Sequence, residues 1–252
     1  MVMMLERAAR RVGAALAMFT ALAACDRQTA GATGQSYEIV TQVRPESLEA
    51  YMKIPRKAYD VCALAREALK LPPPPPLVVL PADFVIKRST YLGSGKGYLI
   101  RHEEFVVDIN DMAPETGCKT RIGSTLEESV GRDGKIYAQR RALDGQIEVD
   151  EPTPLLQDPT NGASKGVSYT EKRMVGGMAV RCVPAALLNA QVMDRCAADT
   201  NAGLLRDGAN DPIVLHARDV IPVFDMVVRT EPVSVQVGKP VPQERIVLSK
   251  AK

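Results

Sequence analysis

The chain has no tryptophan, and aromatic residues make up only 4 % of its 252 positions. Stacking platforms for bases are built from such rings, so a single-strand nucleic-acid binder is not expected, and sugar-ring recognition is disfavoured for the same reason. No long basic run is present either, which leaves no electrostatic footprint for nucleic acid. No C-x-x-C pair occurs among the five cysteines, so a thioredoxin-type redox motif is missing and a zinc ribbon is unsupported. Histidine is scarce, with His102 and His216 the only two.

An address is what the sequence does contain. Residues 1–11 carry Arg7, Arg10 and Arg11 against a single Glu6, and Val12 to Ala24 is then uncharged and rich in alanine and leucine. An apolar run of about a dozen residues is too short to cross the roughly 30 Å hydrocarbon core of a membrane and fits a secretory signal peptide. The run ends in Leu22-Ala23-Ala24-Cys25, which resembles the lipobox of bacterial lipoproteins. The resemblance covers residues 1–25 and implies a diacylglycerol thioether on Cys25, cleavage before it and acylation of the new amine. One myristoyl chain binds a membrane marginally, at about 0.8 kcal/mol per buried methylene, whereas two or three chains hold durably. Asp26 resembles the signal that retains lipoproteins in the inner membrane of enteric bacteria, which favours that membrane over the outer one.

Cleavage removes three Arg and one Glu from 32 basic and 30 acidic residues, leaving 29 of each. The mature chain is therefore neutral. Residues 25–36 are polar and rich in Gly, Ala and Thr, a composition that cannot repay its ordering entropy, and they read as a flexible tether. Residues 37–252 are enough for one large periplasmic domain, or for two halves at 37–151 and 167–252 divided by the proline-rich loop Pro152–Gly166.

Four cysteines remain in an exported domain: Cys62, Cys118, Cys182 and Cys196. An even number there suggests two disulfides. Three pairings are open; a hairpin-like return favours Cys182–Cys196, which leaves Cys62–Cys118.

Alternation from Tyr37 to Arg44 predicts a strand. A short helical stretch follows from Pro45 through Lys53, and Pro55 restarts a second helix. On it Val61, Leu64, Ala65, Ala68 and Leu69 repeat at the helical period and predict a core-facing stripe. Cys62 lies beside that stripe. Pro72 to Pro76 end the helix and, as polyproline II, span about 15 Å. Beyond them the pattern is β: strands at Leu77–Leu80, Phe84–Leu92, Tyr98–Ile109, Lys119–Val130, Lys135–Arg141 and Gln146–Val149, joined by glycine turns. Further strands are expected at Tyr169–Val175, Met178–Val183, Ile213–Ala217, Val220–Val228, Val233–Val237 and Ile246–Leu248. A short helix is expected at Pro184–Ala190 and a polar loop at Asp199–Asp211. The sum is an α+β fold, a mainly antiparallel curved sheet or half-barrel with one sizeable N-terminal helix.

No motif reaches a named reaction. Gly93-Ser94-Gly95-Lys96-Gly97 lacks the P-loop pattern, because Thr90 and Gly97 stand where glycine and Ser/Thr belong, and it lacks the spacing of a nucleophile elbow. His102 shares a strand face with Glu104 and could act as a general base, but a polar pair on the wet side of a sheet is the simpler reading. His216 reads as a strand residue. Glu127-Glu128 and Asp150-Glu151 are sequence neighbours, which on a strand point to opposite faces, so adjacency makes no catalytic dyad. Asp199 to Asp211 has oxygen ligands spaced like the start of a calcium loop, yet glycine replaces the fifth-position acid and Asn210 the bidentate Glu; turn formation explains it. The five prolines serve as a rigid spacer, and they also suit an aromatic groove on a partner.

The expectation is a non-catalytic envelope lipoprotein without cofactor or metal. Its membrane contact is the lipid anchor, and its domain binds an envelope protein or an apolar ligand, not nucleic acid. The alternatives are an inhibitor or immunity lipoprotein that neutralises an enzyme, and a hydrolase whose site is assembled from distant residues.

Overall fold

A computed structural model describes residues 35–109, 113–155 and 168–249, without the side chain of Val223. The signal peptide, Cys25, Asp26 and the tether up to residue 34 lie outside the described residues, as does most of the Pro152–Gly166 loop.

Nearly half of the described residues form one antiparallel sheet. Its strands are β1 (Tyr37–Pro45), β2 (Lys87–Ser94), β3 (Gly97–Asp108), β4 (Arg121–Arg132), β5 (Lys135–Arg141), β6 (Ile147–Val149), β7 (Thr153–Pro154), β8 (Glu171–Val175), β9 (Met178–Cys182), β10 (Val192–Thr200), β11 (Gly203–Leu204), β12 (Val214–Ile221) and β13 (Met226–Val237). The order across the sheet is β6-β5-β4-β3-β2-β1-β13-β12-β10-β9-β8, with β7 beside β5 and β11 beside β10. Strand β1 pairs with both β2 and β13, so the ladder continues from the N-terminal meander into the C-terminal strands. The architecture is α+β, with a single long helix, α1 (Leu48–Ala68), near the N-terminus.

Short turns set the register. Asp133 and Gly134 join β4 to β5 with φ of 52° and 71°, and Gly176 and Gly177 join β8 to β9 with φ of 57° and 80°. Two consecutive residues at positive φ make a turn whose twist matches the paired strands.

Side chains alternate across each strand, and the two faces bury different cores. On one face Tyr37 and Ile39 of β1 pack with Val180 and Cys182 of β9, Cys196 and Ala198 of β10, and Leu215 of β12. Three strands lie between β1 and β9 in the ladder, so this contact requires the sheet to curl upon itself. The concave side is filled by Leu205 and Ile213, both fully buried, from the chain between β11 and β12. On the opposite face Leu92, Leu99 and Val130 are covered by Val241 and Ile246, with Leu248 alongside, as the C-terminal tail crosses the meander.

Several sequence expectations need correction. Helix α1 is continuous through Pro55 and does not restart there. An interior proline costs about 3 kcal/mol, but Pro55 is buried on the face that also carries Met52, Cys62 and Arg66. The stripe Val61, Leu64 and Leu69 faces solvent instead of the core, at 61 %, 65 % and 56 % exposure. Leu77–Leu80 is not a strand; it lines a groove with α1, and Val78 N–H donates to the Thr120 hydroxyl at 2.9 Å. Ile246–Leu248 is likewise no strand, though Ile246 is buried. Val220–Val228 and Val233–Val237 are divided differently: β12 ends at Ile221, a 3-10 turn spans Pro222–Phe224, and β13 runs unbroken from Met226. Pro184–Ala190 contains only a 3-10 turn, Ala185–Leu187. Strand β10 has no counterpart in the sequence pattern, because Asp194, Arg195 and Asp199 conceal its alternation; the structure pairs them with Arg173, Asp219 and Arg181 respectively.

Candidate functional site

Helix α1 and the proline run form a module with open grooves. Ser47 caps the helix, its hydroxyl accepting from Ala50 N–H at 3.1 Å. At the other end Leu71 N–H donates to Arg66 O at 2.9 Å and Lys70 N–H to Glu67 O at 3.0 Å, a Schellman closure with Lys70 at φ 58°. The chain then reverses, and the prolines run back along the helix. Tyr59 Oη donates to Pro75 O at 2.7 Å and Arg66 Nε to Pro72 O at 2.8 Å. Arg66 also donates to Pro114 O, and the Cys62–Cys118 disulfide ties the helix to the β3–β4 connection. A buried arginine is expensive unless its N–H groups are met; these carbonyls meet them.

Two open grooves lie between helix and strap. One, of about 500 Å³, is lined by Met52, Tyr59, Leu77, Val79 and Leu80. The other, of about 640 Å³, is lined by Ala63, Leu64, Leu71, Pro73 and Pro74. Asp60 borders both, so they adjoin along the helix. The helical lip carries Glu49, Asp60 and Glu67, all exposed, and among the described residues lining the grooves Arg56 is the one basic side chain not already spent on carbonyls.

The chemistry-bearing residues of the sequence fall elsewhere. Registry across the β2–β3 hairpin puts Ser89 opposite His102, and His102 Nδ1 stands 2.9 Å from Ser89 Oγ. Tyr91 presents its ring edge-on to the imidazole at 5.9 Å. Burial, and then the charge of Lys87, hold the His102 pKa below its ordinary value of 6.5. Glu104 does not join His102; it pairs with Lys87 at 3.3 Å. Glu127 is His102's neighbour on β4 and reaches Arg140 at 3.7 Å. Ser89 itself is only 5 % exposed. A turn spanning Gly93–Gly97, which the expected strand ends Leu92 and Tyr98 imply, sets Ser89 opposite Arg101 and hides the pair. Folding the hairpin on Gly95-Lys96 alone pairs Ser94 with Gly97 and, counting back, Ser89 with His102. His216 Nε2 lies 3.3 Å from Asp194 Oδ2.

The two adjacent acids of β4 do separate. Glu127 is exposed, whereas Glu128 is buried and accepts from Ser249 N–H at 2.9 Å and Ser249 Oγ at 2.8 Å, and from Arg101 and Gln139. Burial pushes its carboxyl up, but the hydrogen bonds from Ser249, Arg101 and Gln139 outweigh this and leave it below the usual carboxylate range. That network pins the tail. In the Asp199–Asp211 segment, Asp207 accepts from Ala209 N–H and Asp211 N–H at 2.9 and 3.0 Å, closing its own turn. Asp199 pairs with Arg181 at 2.9 Å. Among the described residues no group of three or more His, Cys, Asp or Glu converges on a point that could hold a metal ion.

Both disulfides are formed, Cys62–Cys118 and Cys182–Cys196, the latter between directly opposed residues of β9 and β10. No protein-family model matches the chain, and no curated protein matches it in sequence.

Proposed function

We propose that the protein is a lipoprotein of the bacterial cell envelope, acylated on Cys25 and facing the periplasm, with the inner membrane as the favoured site. Its domain acts without catalysis by holding a segment of an envelope protein. The observation that carries this reading is the pair of adjoining grooves between α1 and its proline strap, with apolar walls and an acidic lip. A protein segment is favoured over an enclosed apolar ligand because Leu205 and Ile213 occupy the concave side of the sheet. Apolar side chains along the groove and Glu49, Asp60 and Glu67 beside it suit an apolar segment flanked by Lys or Arg. The two disulfides are consistent with an exported domain.

The test is photo-crosslinking in cells from a reactive residue placed at Val79, 86 % exposed beside the groove, and at Val149, 64 % exposed on β6. The expected result is an adduct of one discrete mass from position 79 that is absent from position 149 and weakened by Asp60→Lys. Equal labelling from both positions, or labelling indifferent to Asp60→Lys, would contradict the groove assignment.

The Ser89–His102 contact favours a second reading, a serine hydrolase. If that reading holds, a fluorophosphonate probe labels the intact protein and Ser89→Ala abolishes the label. The 5 % exposure of Ser89 makes absence of label the expected outcome.

A further inference from the structure

The outward side of α1 borders the second groove, with which it shares Leu64. At about 100° of turn per residue, Lys53, Ile54, Lys57, Val61, Leu64 and Ala68 share one face, and all six are exposed. The acids Glu49, Asp60 and Glu67 border this face on its strap side, next to Lys53 and Leu64, so the face itself has two lysines and the helix carboxylates lie along that one edge. Asp225 touches Lys53 at 3.7 Å, but both are well exposed, and such a pair is worth little. We propose that this face rests on an anionic phospholipid surface, and that α1 thereby fixes the orientation of the tethered domain.

Three observations favour lipid over other occupants. Apolar side chains can enter the membrane interface while a lysine beside them keeps its ammonium group among the headgroups, and each lysine near an anionic leaflet adds attraction. Area argues against a second copy: a stable protein interface takes about 20–30 residues a side, and this face offers six, one of them alanine. The length of chain before β1 also suffices. The proposal rests on the anchor reading at Cys25, and from there to Gln35 a fully extended chain reaches about 35 Å. Helix α1 starts beyond the far end of β1, and a nine-residue strand is about 30 Å long. The tether can therefore span β1 and let α1 meet the bilayer. Once anchored, weak contacts are enough, because attachment makes them intramolecular.

With no tryptophan in the chain, Val61→Trp supplies a single reporter at a solvent-facing position. The full-length protein is produced in a bacterium that processes lipoproteins, purified from its membranes and reconstituted into phosphatidylcholine–phosphatidylglycerol vesicles. Phospholipid brominated on its acyl chains is the quencher. Val61→Trp is expected to lose more than half of its emission, and Val149→Trp to keep nearly all of it. Adding Lys53→Glu and Lys57→Glu to Val61→Trp is expected to restore the emission while thermal melting stays unchanged. Intact mass of the same sample separates the two claims. Acylated protein whose Val61→Trp emission is unquenched, or quenched no more than Val149→Trp, overturns the docking and leaves the anchor standing. Protein without acyl chains overturns the anchor, and the docking with it.

Discussion

Glu128 is a buried carboxylate met by donors from three residues, one of them Ser249, 121 positions away. Removing it leaves Arg101, Gln139 and the tail backbone without their acceptor. Breaking a buried charged network of this kind costs about 3–5 kcal/mol. Glu128→Ala is therefore expected to lower the urea midpoint strongly and to speed amide exchange in residues 241–249, where the tail crosses Leu92 and Leu99. Unchanged exchange there would mean the network does not hold the tail. Acidification probes the same group. A carboxyl whose folded pKa is depressed stabilises the fold above its unfolded value and loses that contribution as pH falls through the folded pKa. His102 acts in the same direction: its depressed pKa means the unfolded chain takes a proton that the fold refuses, so stability drops as pH falls below 6.5. Between pH 7 and pH 5 the His102 contribution should lower the urea midpoint of the wild type more steeply than that of His102→Gln, while the Glu128 contribution is lost only below pH 4.5.

Glycine and tyrosine share space at two points of the meander. A Cβ on Gly131 would stand 2.0 Å from the Tyr98 ring, and one on Gly93 2.2 Å from the Tyr37 ring; both glycines face these tyrosines across a strand pair. Overpacking of this kind costs about 1–3 kcal/mol, so Gly131→Ala is expected to lower Tm while Gly134→Ala, with open space around it but φ at +71°, acts only through backbone strain. The strands themselves were legible where glycine turns bracket alternating residues, as in β3 to β5, β8 and β9. Helix α1 was legible as a helix but not as to its orientation. Periodicity reveals that Val61, Leu64 and Leu69 share a side; it does not reveal what lies opposite. Orientation is decided instead by Cys62, bonded to Cys118, and by Arg66, bonded to Pro114 as well as to nearby Pro72; Cys118 and Pro114 belong to a distant segment that no local window contains. Lys70 at φ 58° pays the left-handed penalty that glycine avoids, and Lys70→Gly is expected to raise stability by about 1 kcal/mol, read as a small rise in Tm.

At the scale of the whole molecule, the Cys62–Cys118 bond closes a sequence separation of 56 residues and joins the α1 module to the sheet. Loss of a loop of that size is worth about 4 kcal/mol in the chain-entropy account. In the double variant Cys62→Ser/Cys118→Ser, α1 is expected to become protease-sensitive before the sheet does, since Cys182–Cys196 and the two-faced core remain; simultaneous digestion of both would show that the module has no independence. The candidate site is the least legible part, for the grooves depend on a helix and a strap that fold against each other, and the sequence displays only a helix and a run of prolines. The proposed address, by contrast, lies in the first 25 residues, and it fixes the compartment in which any partner must be sought. The most direct measurement of that claim is intact-mass spectrometry of the protein purified from its native membranes. A chain beginning at Cys25 and heavier than its residues by a diacylglycerol and a fatty-acyl group is the result expected. A mass equal to residues 1–252, or to a cleaved chain with an unmodified Cys25, would contradict the account.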